Sequence, residues 1–131
     1  MSAIDGGRIL NPKTARGQII GGLAMGIGMA FLEETVSDRT GRLVTTSLAE
    51  YVVAVNADVR DVDVRFVGQP DAMTPLGTKG VGELAITGMA AAIANAVYHA
   101  PGTRFRSLPI SIEKMLGPEF SNPGTISPVR K

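Results

Sequence analysis

Thr78-Lys79-Gly80-Val81-Gly82-Glu83 places one carboxylate at the end of a glycine-spaced turn, just ahead of an apolar stretch that runs to about His99. Glycine takes backbone angles closed to other residues and lets a ligand approach the chain. A carboxylate at a helix start faces the positive end of the helix dipole. Glu83 therefore has the setting of a general base: a fixed carboxylate beside exposed backbone. The plainer alternative is an ordinary acidic residue at a helix N-terminus, following a glycine loop.

Few other side chains here carry chemistry. There is no cysteine. That excludes disulfides, a thiol nucleophile, a cysteine zinc site and an iron–sulfur cluster on this chain. The single histidine, His99, excludes a histidine-rich metal cage. Any metal must therefore arrive on a cofactor that brings its own ligands, and no metal-ligating residue is assigned. Thirteen basic residues nearly balance twelve acidic ones and form no stripe, which argues against a nucleic-acid partner. The first ten residues do not read as a signal peptide. The longest apolar run, Ile19 to Leu32, is 14 residues, shorter than the ~18 needed to cross a bilayer.

The elements that must hold the turn can be read in order. Ala3 to Leu10 reads as a short strand interrupted by Gly6-Gly7. Asn11-Pro12 is a helix-start signal, because Asn caps well and Pro fits the first helical position. Thr14 to about Glu34 then reads as a helix apolar around most of its circumference, hence buried on several sides, with Met25 and Met29 in the core. Gly17, Gly21, Gly22, Gly26 and Gly28 each cost this helix roughly 1 kcal/mol against Ala. Their number implies close approach of another backbone or of a bulky ligand. Gly26-Ile27-Gly28 lies inside the helical pattern with no clear strand before it, so a dinucleotide loop is set aside.

Thr35-Val36 and Leu43 to Thr46, joined by a turn-rich segment, predict a hairpin. Leu48 to Val55 reads as strand or irregular chain. Val62 to Val67 alternates as a half-buried strand does. Gly68 to Leu76 is a loop. Leu84 to Ala100 reads as a second helix stopped by Pro101-Gly102. Ser107 to Ile110 is a short extended piece, and Ser111 caps a last short helix with Glu113 in its first turn. Residues 117–131, with three prolines and two glycines, read as a flexible tail. The fold class expected is α+β, with two buried apolar helices packed on a small mixed sheet.

Four stretches together resemble the xanthine dehydrogenase/aldehyde oxidase family. They are Gly17-Gln18-Ile19-Ile20-Gly21-Gly22, Gly26-Ile27-Gly28, Pro75 through Glu83, and Ala90 through Ala96. The likeness is to the C-terminal end of the large, molybdopterin-binding subunit, and Asn11 to Arg16 looks most like the bacterial aldehyde-type branch. It covers roughly Ile4 to Leu116. The resemblance makes residues 1–116 a portion of a larger molybdopterin-binding domain. It implies oxidative hydroxylation of an aldehyde or N-heterocycle such as xanthine. The cofactor implied is a molybdenum-pterin, as molybdopterin or its cytosine dinucleotide form, held through dithiolene sulfurs. In the family the glutamate of this motif accepts a proton from the metal-bound hydroxyl that attacks substrate. By resemblance Glu83 is that base. Gln18 matches a position near the pterin, and Gly80, Val81 and Gly82 bring backbone amides close to the metal ligands. Lys79 is expected to be structural. Met25 and Ile20 depart from the common glutamine and acidic residue at their positions.

The partners implied are the remainder of the molybdenum subunit together with iron–sulfur and FAD subunits. The compartment implied is the cytoplasm, or the periplasm where a partner subunit carries an export signal. The other class of function is a non-catalytic assembly or binding domain, or an inactive gene fragment, derived from that family. Alone, the chain is expected to be inactive. Two largely apolar helices are much for a small domain to cover, so the isolated chain is expected to self-associate. Sedimentation as a stable, monodisperse monomer would contradict that expectation.

Overall fold

The computed structural model describes residues 1–120 of the chain. In order, the elements are β1 (Ser2–Asp5), α1 (Pro12–Phe31), β2 (Val64–Val67), α2 (Ile86–His99) and α3 (Ile112–Phe120). The class is α+β, as expected. Strands β1 and β2 pair in parallel, with Ile4 opposite Phe66, and form a two-stranded sheet. This replaces the mixed sheet of the sequence reading. The first strand ends at Asp5 instead of Leu10 because Gly7 turns the chain at a φ of 60°. The predicted hairpin survives only as an isolated antiparallel bridge, Ser37 to Leu43. The Asp38 carboxylate holds its tip by accepting from the Thr40 and Arg42 amides. The segment from Leu48 to Val55 is irregular.

Helix α1 begins where its capping residues dictate. Asn11 Oδ1 accepts from the Thr14 amide at 3.2 Å, and Pro12 occupies the first turn. The start is therefore at Pro12, two residues before the expectation from periodicity. The end falls at Phe31, where the Leu32 amide donates back to the Gly28 carbonyl at 2.8 Å. Ala15, Ile19, Gly22, Gly26 and Ala30 are buried, spaced by four, three, four and four residues. That spacing makes one stripe on one helix face. The remainder of the apolar circumference is open: Met25 is 59% exposed and Met29 39%. Both are thus outside the core in which the sequence reading set them. The helix is apolar all round, yet the described residues cover only one side of it.

The buried stripe is narrow because its small residues meet α2 directly. A Cβ on Gly22 would stand 3.0 Å from the Ala85 Cβ and 3.1 Å from the Ile86 amide nitrogen. A Cβ on Gly26 would collide with Met89. These two glycines therefore answer the question the sequence left open, and at these positions the answer is helix–helix packing. Helix α2 begins at Ile86 and buries only Ile93. Past its end Gly102, at a φ of 78°, donates its amide to the Tyr98 carbonyl and stops the chain as Pro101-Gly102 predicted.

The central cluster is Ile4, Ile19 and Ala85, with Leu23, Val64, Phe66 and Val81 packed against it. It joins β1, β2, α1 and the two ends of the turn around Glu83. Ile110 is also buried, and its amide donates to the Ala30 carbonyl at 2.7 Å, fastening the entry to α3 onto the end of α1. The Ser111 hydroxyl accepts from the Lys114 amide as the expected cap. Helix α3 (Ile112–Phe120) is kinked at Gly117, where φ is 66°. Of the expected tail, residues 121–131 lie outside the described residues.

The seam gives a direct expectation. Gly26→Leu improves helix propensity by roughly 0.8 kcal/mol, yet overpacking a tight contact costs typically about 1–3 kcal/mol. The variant should therefore melt several degrees below the parent in a thermal scan followed by circular dichroism. An unchanged or raised Tm would show that α1 and α2 do not depend on this contact.

Candidate cofactor-binding site

The Thr78–Glu83 turn is built on contacts with the exit of β1. The Lys79 amide donates to the Gly6 carbonyl at 2.9 Å, and the Arg8 amide donates to the Gly77 carbonyl at 2.7 Å. Gly7 and Thr78 form an isolated antiparallel bridge. The Lys79 ammonium donates to Asp5 Oδ2, whose other oxygen accepts from the Gly7 amide at 3.0 Å. This ion pair holds the Asp5 carboxyl below the usual carboxylate range and raises the Lys79 ammonium. A carboxyl depressed by folding contributes stability at neutral pH, and that contribution disappears as pH falls through its folded value. Lys79 is thus a structural contact of the turn.

Beyond Lys79 the chain crosses back over the core. Val81 is half-buried against the central cluster, and a Cβ on Gly6 would meet its side chain. Ala85 is buried. Glu83 lies between these two anchors in a turn that precedes α2 by three residues, with its side chain exposed. Its carbonyl accepts from the Ile86 amide at 3.3 Å. No backbone acceptor among the described residues takes the amides of Gly80, Val81, Gly82 or Glu83.

Two cavities flank this turn. The first, about 210 Å³, lies between α1 and the turn and is lined by Gly17, Gln18, Gly21, Gly22, Met25, Gly82, Glu83 and Ile86. The second, about 310 Å³, holds Asn11, Thr14, Gln18, Thr78, Lys79 and Val81 among its lining residues. Gln18 lines both. Of the residues predicted from sequence, Gln18, Gly82 and Glu83 therefore share one cavity, and Val81 joins Gln18 in the other. Gly80 lines neither; it is exposed, and a Cβ there would meet nothing within 4 Å.

The glycines of α1 divide by face. Gly22 and Gly26 are filled from outside by α2. A Cβ on Gly17 or Gly21 would meet no atom within 4 Å, and both glycines open into the Glu83 cavity. Met25 and Ile86 add apolar wall. Sequence reasoning missed Met25 as a lining residue, having placed it in the core. It missed Asp5 altogether, since nothing near Asp5 in sequence signals a partner 74 residues away.

Comparison with known proteins fits this geometry. Residues 1–60 match the family described as molybdopterin cofactor-binding domain. The chain is 51% identical over 112 residues to the aldehyde oxidoreductase molybdenum-binding subunit PaoC of Escherichia coli K12, covering 84% of this chain and 15% of that subunit. A match of that extent takes in the Thr78–Glu83 turn. It is 38% identical over 123 residues to the xanthine dehydrogenase molybdenum-binding subunit of Escherichia coli O157:H7, covering 93% and 16%. Among solved structures, quinoline 2-oxidoreductase from Pseudomonas putida 86 superposes with a TM-score of 0.78 at 37% identity, over 83% of this chain and 14% of that one.

The chain belongs to the xanthine dehydrogenase/aldehyde oxidase family of molybdenum hydroxylases, in the portion that binds the molybdopterin cofactor. It spans about 15% of the length of the molybdenum-binding subunits it matches. No helix among the described residues is long and apolar enough to cross a membrane.

The residues present fit such a cofactor. The cavity offers an amide side chain at Gln18, free backbone amides along the turn, and two glycine faces with no atoms over them. Pterin rings and phosphates are recognised by donors of this kind, and a flat ring lies closest where Cβ atoms are missing. Gly21→Ala separates the two demands on α1. Its new methyl meets nothing, so the helix should gain up to about 1 kcal/mol. In the assembled subunit the same methyl should lower pterin and molybdenum content. Tm and metal analysis on one preparation check both; full loading at raised Tm would remove Gly21 from the cofactor face.

Proposed function

We propose that this chain is the part of a molybdenum hydroxylase that supplies the catalytic base, Glu83, for oxidative hydroxylation of an aldehyde or N-heterocycle. The observation that carries the reading is the cavity that brings Gln18 of α1 and Glu83 of the turn, distant in sequence, to one wall. The molybdenum-pterin cofactor, when bound, would supply the activated hydroxyl and, as a two-electron redox centre, take up the hydrogen and electron pair of the substrate C–H bond that breaks. Gln18 binds it through its amide, as donor and acceptor. Val81 and Gly82 offer amide hydrogens, Gly80 lying outside both cavities, and Gly17 and Gly21 let a ring approach α1. Met25 and Ile86 give it an apolar wall.

Glu83 then accepts at its carboxylate the proton released as the attacking hydroxyl bonds to the substrate carbon. Its placement suits that role. Val81 and Ala85 on either side are packed in the core, so the backbone of Glu83 is held while its side chain stays in the open cavity. Electrons leave to iron–sulfur and FAD centres on partner subunits, and the rest of the molybdenum subunit completes the pocket. PaoC and the xanthine dehydrogenase subunit, by their names, are molybdenum-binding subunits of such oxidoreductases, which supports this reading.

Glu83→Gln tests it, because the amide keeps size and hydrogen bonding while deleting the proton acceptor. A positioned base contributes about 10²–10⁴-fold in rate, about 3–5 kcal/mol of barrier. Single-turnover reduction of the metal centre by substrate should slow by that factor at equal molybdenum content, with substrate affinity little changed. Equal reduction rates at equal metal loading would leave Glu83 as a helix-start residue and the chain as a cofactor-binding segment without the base.

A further inference from the structure

We infer that Asp5 is a positioning residue for the Glu83 turn, acting through Lys79 as a clasp between the end of β1 and the start of the turn. This rests on the reading of Glu83 given above for its catalytic arm only. Three observations converge on the clasp. The Lys79 ammonium reaches Asp5 Oδ2, while Asp5 Oδ1 accepts from the Gly7 amide. The same two segments exchange backbone bonds, Lys79 to Gly6 and Arg8 to Gly77. The crossing is also tight. A Cβ on Gly7, at φ 60°, would meet the Gly77 carbonyl oxygen at 2.5 Å. A Cβ on Gly68, at φ 103°, would collide with the Asp5 carboxylate.

Exposed ion pairs ordinarily contribute little to global stability. The role of this one is local, because Lys79 is four residues before Glu83 and two before the core anchor Val81. On the far side Glu83 is fixed by Ala85. On the near side Gly77 and Thr78 are also tied to the preceding loop, where the Thr74 hydroxyl donates to the Thr78 carbonyl at 3.0 Å and the Asp71 amide to the Gly77 carbonyl at 2.9 Å, but the described hydrogen bonds of Lys79 itself all go to the exit of β1, with Asp5 at their centre. Released from β1, Lys79 and Gly80 lose their hold, and upstream of Glu83 the turn is kept in place by the packing of the half-buried Val81 side chain alone. Catalysis falls steeply when a reacting group is displaced by even about 1 Å.

The test uses Asp5→Asn and Lys79→Met, with Lys79→Arg as the conservative variant that keeps the charge. Amide exchange on the full chain reads the clasp without cofactor. The Lys79 and Arg8 amides should lose protection in Asp5→Asn and Lys79→Met, and Lys79→Arg should retain it, while amides around Ile19 in α1 keep theirs in all three. Retained protection at Lys79 and Arg8 in either charge-deleting variant overturns the proposal. So does loss that spreads through α1, which would make the pair a core contact. In the loaded assembly, kcat per bound molybdenum should fall on the order of tenfold to a hundredfold, at unchanged KM. A risen KM with kcat intact would contradict positioning of the base. Should Glu83→Gln itself leave turnover untouched, the catalytic reading fails, and the exchange result still decides whether Asp5 holds the turn.

Discussion

The close approach of α1 to the start of α2 is the contact on which the remaining geometry depends. It is possible because Gly22 and Gly26 have no side chains where Ala85 and Met89 stand. With that approach made, Ala85 reaches Ile19 and Ile4, and the β-strand pair closes the cluster from the other side. Packing of this density leaves no slack for an added methylene. The Glu83 turn inherits its position from the seam: one end is Ala85, in the cluster itself, and the other is Val81, packed against it.

The same helix carries glycines with opposite duties. A Cβ on Gly22 or Gly26 would meet protein, while one on Gly17 or Gly21 would meet only the cavity, whose edge Gly22 also lines. All four are costly to a helix by the same amount, so propensity cannot tell them apart. Direction around the axis does. Positions 22 and 26 fall on the buried stripe with Ala15, Ile19 and Ala30, whereas 17 and 21 lie off it.

Much apolar surface is left uncovered by the described residues, including Met25, Leu84 and most of α2 beyond Ile93. Patches of this extent mark surfaces that meet other protein. Their presence agrees with a chain that spans about 15% of the length of its relatives. It also explains why the sequence reading buried too much. Hydrophobic pattern reports what a residue can be covered by, and the covering groups here are not among the described residues.

The sequence by itself determined the local elements and the chemistry they carry. Asn11-Pro12 set the start of α1, the alternation from Val62 to Val67 marked β2, and Pro101-Gly102 ended α2, because capping, pleat and turn geometry act over a few residues. The glycine-spaced turn, its single carboxylate, and the family likeness were legible for the same reason. Only the tertiary structure decided which glycines face protein and which face a cavity. It decided that the sheet has two parallel strands, that Met25 lines the site instead of the core, and that Asp5 pairs with Lys79. Each of these depends on groups brought together from distant parts of the chain. Their energy arises from burial, clash or charge at contact, and none of those exists until the fold has set the distance.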